Sequence, residues 1–230
     1  MGIHNEHHLS HRSNWLRASV LGANDGLIST ASLMTGMVAA QPDFHTLLLT
    51  GVSALVGGAI SMAAGEYVSV SSQADTEQAD LLMEQRELHK NPQLELEELC
   101  QIYRARGLSE ELAKQVAVQL SNHNALDAHM RDELGMTETS AANPLQAALA
   151  SAGAFAVGAL LPLLVTLCMP SALLLPALVV STLFGLGGLG YVSAKLGGAK
   201  ILPAVVRVVV WGVIALGITG LIGKWVGVSV

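Results

Sequence analysis

Hydrophobic and polar positions divide this 230-residue chain into long blocks. Five runs of apolar and small residues lie at about 18–40, 46–70, 145–168, 171–194 and 201–223. Each approaches or exceeds the roughly 20 residues that a helix needs to cross about 30 Å of hydrocarbon. Between the second and third runs, residues 71–142 hold 14 of the 18 acids and 6 of the 12 bases. A block so charged does not enter lipid. The pattern predicts an all-α membrane protein with five transmembrane helices and a cytoplasmic three-helix insert between helices 2 and 3. The expected divisions are an N-terminal tail (1–17), helices 1 and 2 (18–70), the insert (71–142) and helices 3 to 5 (143–230).

Inside the insert, Gly and Pro are almost absent from 71–90 and 108–134, which favours helix. The first helix continues from the second span to His89 and breaks at Asn91-Pro92. The second covers Leu94 to Arg106 and stops at Gly107. Ser109, followed by Glu110 and Glu111, supplies a capping hydroxyl and two acids for the positive end of a third helix, which ends at Gly135.

Lys and Arg are retained on the cytoplasmic side of short loops, and their positions set an orientation. Arg12 and Arg17 put the N-terminus inside, the turn at Gln41, Pro42 and Asp43 outside, and the insert with its six bases inside. Lys195 and Lys200 fall in an inner loop, whereas the turn at Pro170 has no base. Lys224 and Arg207 do not help the rule, and Arg207 is expected to snorkel toward the inner interface. The start of the chain lacks a compact cleavage site, so the first run is expected to remain as a helix.

Composition narrows the function classes. A mean hydropathy of +0.49 with 13% charged residues does not suit an ordinary solvated domain. A net charge of −6 leaves no basic excess for a phosphate backbone, so no nucleic-acid partner is expected. Cys100 and Cys168 form no CxxC pair. HExxH, GxSxG and Walker motifs are all missing, which argues against an enzyme and against an ATP-driven pump.

Acids inside apolar runs are the residues that need a reason, since each costs at least about 2.5 to 3.5 kcal/mol to insert. Asp25 shares a helical face with Gly22, Ser29 and Ser32, a narrow polar stripe; an acid hydrated from the cytoplasmic side is the alternative. Glu66 stands one turn after Met62, and the pair offers a hard and a soft donor to a divalent first-row metal, with Asp25 as a further ligand. Gly57, Ser61 and Gly65 form a neighbouring small-residue stripe that suits close helix approach. Met62 as plain core and Glu66 as an interfacial acid remain the alternative.

In the insert, Glu77, Asp80, Glu84 and Glu87 line one helical face, and Glu95 and Glu98 repeat the ExxE spacing eleven residues after Glu84 and Glu87. His129, Met130 and Glu133 add nitrogen, sulfur and oxygen donors within about one turn. Folded together these faces could bridge cations; spacing alone leaves open a solvated acidic face. His4, His7, His8 and His11 form a loose N-terminal cluster suited to weak metal binding or to none.

The segments Arg12-Ser-Asn-Trp-Leu-Arg17, Leu21-Gly-Ala-Asn-Asp-Gly-Leu27 and Ser61-Met-Ala-Ala-Gly-Glu-Tyr-Val-Ser-Val70 resemble the vacuolar iron transporter family. The likeness extends through Ser72-Gln73, Asp75, Glu77, the Tyr103–Leu108 turn and the His129–Gly135 end of the insert, and so covers nearly the whole chain. It implies a dimeric five-helix carrier that moves Fe²⁺ or Mn²⁺ out of the cytosol in exchange for protons. By the same resemblance Asp25 and Met62 match translocation ligands, with Glu66 in the same motif. Glu84, Glu87, Glu95, Glu98, Met130 and Glu133 match the metal-binding positions of the insert. The plant pattern has two consecutive methionines where this chain has His129-Met130, an exchange that opens the site to Zn²⁺ and Co²⁺.

The expectation is therefore a homodimeric, multi-pass divalent-metal exporter with no tightly bound cofactor. Short loops suit a bacterial-type member in an inner membrane, or an endomembrane in a eukaryote. A membrane-anchored metal sensor or scaffold, and a passive cation channel, are the alternatives.

Overall fold

A computed structural model describes residues 13–136 and 143–227 of the chain. The histidine cluster at His4, His7, His8 and His11 lies outside the described residues. Those described form seven helices: α1 (Ser13–Ala39), α2 (Phe44–Lys90), α3 (Pro92–Ala105), α4 (Glu110–Asp132), α5 (Pro144–Cys168), α6 (Ser171–Leu196) and α7 (Ile201–Gly227). Four of them, α2, α5, α6 and α7, are long and apolar enough to cross a membrane. The chain divides into two compact units, one made of residues up to Val68 together with Pro144–Val230, the other of Ser69–Asn143.

In the first unit α1 is the central element, packed chiefly on α5 and also on α7 and α6. Its 27 residues give it spanning length, but Asn24, Asp25 and a series of Ser and Thr dilute its apolar character. Other helices enclose it, and Thr30, Ser32 and Thr35 are all buried, their hydroxyls without a hydrogen-bond partner among the described residues. Close approach depends on glycine at two facing positions. A Cβ on Gly26 would run into the Phe155 carbonyl of α5, and one on Gly158 into the Ala23 carbonyl of α1. Met34, Leu47, Leu163, Leu174 and Leu178 form the apolar core of this unit.

The turn at 41–43 hands the chain to α2 with a side-chain cap: Asp43 Oδ1 accepts from Thr46 N at 3.0 Å and Oδ2 from the Thr46 hydroxyl at 2.6 Å. Nothing between residues 44 and 90 breaks helix, so the second apolar run and the first polar segment form one helix of 47 residues. Of its exposed positions, Val52, Val56, Ile60 and Val68 are large and apolar.

In the second unit α3 and α4 pack through Leu99, Tyr103, Ala113, Ala117 and Ala128. The alanines at 113 and 117, one turn apart, let the backbones come close. Ser109 caps α4 by accepting from Leu112 N at 3.4 Å, as the capping pattern predicts. Gly107 and Gly135 adopt φ of +99° and +66°, the left-handed geometry that stops a helix at glycine. One feature departs from the expected continuous third helix. Asn124 leaves helical geometry (φ −163°, ψ 96°), and its Oδ1 accepts from Asp127 N at 3.2 Å, so it caps a second helical segment inside α4. Ser121-Asn-His-Asn124 is a run of four poor helix formers, a local signal for this break that the lack of Gly and Pro masks.

Candidate metal centre

Three segments of the second unit converge on one imidazole. His129, in the capped C-terminal part of α4, is fully buried, and its Nδ1 lies 2.9 Å from Glu133 Oε2, 3.0 Å from Glu84 Oε1 of α2 and 3.9 Å from Glu95 Oε2 of α3. One donor atom from each of these four residues falls within 4.8 Å of all the others. Only the Glu133 contact is aligned as a hydrogen bond; Glu84 Oε1 and His129 Nε2 are buried without a hydrogen-bond partner. Orphaned polar atoms at the centre of a cluster are costly, and three carboxylates facing one imidazole repel one another. Burial pushes the Glu84 carboxyl up to about 7, with repulsion from Glu133 next and the pull of His129 against it. Glu95 is raised too, first by burial and then by Glu98. A divalent cation among these donors would relieve both strains at once. Three oxygens and one nitrogen suit Mn²⁺, Fe²⁺ or, through the imidazole, later first-row metals.

The other insert candidates stand apart from this set of four. Glu87 is half-buried and accepts from Asn91 Nδ2 at 3.0 Å, which turns its carboxylate to the α2–α3 junction. Glu98 is exposed, but it is close enough to raise both Glu84 and Glu95 by repulsion. Met130 is half-buried beside His129 in the chain.

A clasp that sequence spacing did not reveal holds the end of α4. The Tyr103 hydroxyl donates to Asp132 Oδ2, and Arg106 Nη1 pairs with Asp132 Oδ1 while Nη2 donates to the Asp132 carbonyl at 2.9 Å. The Arg106 guanidinium also sits 5.7 Å from the centre of the Tyr103 ring. Burial pushes Asp132 upward, but the bonds from Tyr103 and Arg106 outweigh it and leave the carboxyl below its usual value. The clasp anchors the residue next to Glu133. Its only sequence signal was the Tyr103–Leu108 turn.

In the first unit, Asp25 is exposed on α1, and Met62 and Glu66 are half-buried on α2. Among the described residues no hydrogen bond or ion pair engages the carboxylate of Asp25 or Glu66. Ser29, one turn after Asp25, donates to the Asp25 backbone carbonyl at 2.6 Å. Of the stripe before Glu66, Gly58 abuts the Phe155 ring, whereas Gly57 and Gly65 have open space beside them.

Comparison with known proteins finds relatives along nearly the full chain. The profile of the VIT family matches residues 16–224. A vacuolar iron transporter of Acanthamoeba castellanii is 42% identical over 208 residues, covering 90% of this chain and 77% of its own. Vacuolar iron transporter homolog 1 of Oryza sativa subsp. japonica is 39% identical, covering 90% and 72%. Homolog 4 of Arabidopsis thaliana is 35% identical over 219 residues, covering 95% and 87%. The chain belongs to the VIT family, and so to a family of transporters and not of enzymes.

Proposed function

We propose that the protein exports Fe²⁺ or Mn²⁺ from the cytosol by exchange with protons, working as a homodimer. The observation that carries this reading is the cluster of the buried Glu84, Glu95 and His129 with the exposed Glu133, in a member of a family whose relatives are named iron transporters. On this reading the cluster captures cytosolic M²⁺, with Glu87, Glu98 and Met130 at its margin. The central helix α1 acts as a fifth span beside α2, α5, α6 and α7, with the N-terminus inside and the C-terminus outside. Asp25, Met62 and Glu66 of both protomers line the path, and an acid that alternates between metal-bound and protonated states couples metal exit to proton influx. Among the described residues the carboxylates of Asp25 and Glu66 have no hydrogen-bond or ion-pair partner, which supports a role in binding something that passes. The membrane borders the cytosol: a bacterial inner membrane, which the short loops suit, or an endomembrane, as the relatives' names indicate for them.

Uptake of Fe²⁺ and Mn²⁺ into inside-out proteoliposomes tests the proposal. Accumulation should require an acidic lumen and should vanish in Asp25→Asn. Accumulation that ignores the proton gradient would make the protein a channel. Binding without accumulation would make it a metal sensor or scaffold.

A further inference from the structure

Arg207 is the base that the orientation rule leaves without a role, and it stands in the second turn of α7, about 9 Å along the axis from Ile201. No carboxylate pairs with its guanidinium among the described residues. With Asn24 of α1 and Ser193 of α6 it lines a cavity of about 120 Å³. The remaining wall is apolar or small, including Val20, Gly190 and Ala204. Gly190 lets the α7 backbone at Val205 come against α6, which closes one side. Asn24 Oδ1 is buried and accepts no hydrogen bond.

The cavity thus presents a permanent cation, an orphaned acceptor and a hydroxyl within small apolar walls. A cation is repelled by the guanidinium. A purely apolar occupant would leave the buried Asn24 Oδ1 without a donor, at the cost of an orphaned polar atom, and the exposed Arg207 guanidinium without a counter-charge. A phosphoryl group matches the guanidinium fork in charge and geometry. A hydroxyl carried by the same ligand supplies the donor that Asn24 Oδ1 lacks. Lys195 and Lys200, at the turn between α6 and α7, add positive potential at this end of the bundle.

We propose that α1, α6 and α7 form a binding site for an anionic phosphoryl group that carries a hydroxyl, with Arg207 holding the phosphate and Asn24 accepting from the hydroxyl. The headgroup of an anionic glycerol lipid has this chemistry, and so does a soluble phosphate ester. The site is independent of which ion the protein carries.

Thermal unfolding of the delipidated full chain in an uncharged detergent tests it. Phosphatidylglycerol, phosphatidylcholine and glycerol 1-phosphate are added in separate arms. At about a hundredfold over the dissociation constant, phosphatidylglycerol should raise Tm by about 5 °C, with no rise from phosphatidylcholine. Arg207→Gln and Asn24→Ala should each lose at least half of that rise. Lys224→Gln, which removes the same charge outside the cavity, should keep it. An equal rise from glycerol 1-phosphate that Arg207→Gln abolishes supports the site and assigns it to a soluble ester. Equal responses to the two lipids, or an undiminished response in Arg207→Gln, would overturn the proposal. Should Arg207→Gln not fold, Arg207→Lys keeps the charge without the fork and should show a reduced rise.

Discussion

At the scale of single residues, the candidate metal centre sets affinity against stability. Glu84 is buried among Glu95, Glu133 and His129, and its carboxyl is pushed up to about 7. A raised folded pKa means that the folded metal-free protein binds a proton the unfolded chain would already have lost. The stability this proton brings is complete below the unfolded value near 4.5 and is lost as pH rises through 7. Metal-free protein should therefore lower its Tm between pH 5 and pH 8, and Glu84→Gln should flatten that slope while weakening Mn²⁺ binding at pH 7.5. Metal and proton compete for the same oxygen, so wild-type Mn²⁺ affinity should fall as pH drops below about 7. Calorimetric titration at pH 6 and pH 8 checks the sign; affinity independent of pH would remove Glu84 from the ligand set. His129→Asn should cost about tenfold in Zn²⁺ affinity, near 1.4 kcal/mol, and less for Mn²⁺, because imidazole favours the later metal. The ExxE spacing and the donor triplet at 129–133 made these residues legible as candidates. They could not say that Asn91 would draw Glu87 aside, since that depends on where the α2–α3 break points one amide.

At the scale of elements, Asn124 and Ser109 make a controlled pair. Both cap helical segments within α4, but only Asn124 immediately precedes the segment that carries His129 and Glu133. Each change to Ala should cost about 1 kcal/mol of stability, the ordinary value of an N-cap. Asn124→Ala should in addition weaken Mn²⁺ binding at least tenfold, because an unbroken helix would rotate His129 away from Glu84. Ser109→Ala should leave affinity unchanged. Equal affinities in the two variants would show that the kink has no bearing on the centre. Helix positions and stops were largely readable, from Asn91-Pro92, Gly107, Ser109 and Gly135, because glycine, proline and capping hydroxyls act locally. The break at Asn124 was not, because its polar neighbours also tolerate helix and the decision rests on packing of Ala128 and His129 against α3 and Glu84. In the other unit, the facing glycines make a sharper demand. Gly158→Val places bulk against the Ala23 carbonyl, and the α1–α5 pair cannot separate without exposing Phe155 and Ala159; loss of folded protein on size-exclusion chromatography is the expected result.

At the scale of the whole molecule, the sequence pattern separates four helices that declare themselves by apolar length from one, α1, whose place depends on its neighbours. Polar residues in α1 are a poor membrane signal read alone; in the fold α1 packs on α5, α6 and α7, and Thr30, Ser32 and Thr35 are buried away from the surface. The same reasoning applies to α2. Its Gly58 edge meets Phe155, but on the adjoining edge a Cβ at Gly57 or Gly65 would meet no atom of the described residues within 4 Å. Lipid would fill that space without any need for small residues, whereas a second helix backbone needs them, since van der Waals packing drives helix association in lipid. The proposed two-fold seam therefore belongs on this edge, where it also brings the α2 helices, with Met62 and Glu66, together from two protomers. A protein with Cys100 and Cys168 replaced by Ser and carrying Ser61→Cys should oxidise in membranes to a covalent dimer, as disulfides require Cα atoms within about 7 Å. Phe184→Cys, on an exposed position of α6, should remain monomeric under the same treatment. Cross-linking at 184 and not at 61 would move the seam to α6 and leave Glu66 of α2 facing lipid, a placement whose insertion cost would then argue against its role in the path.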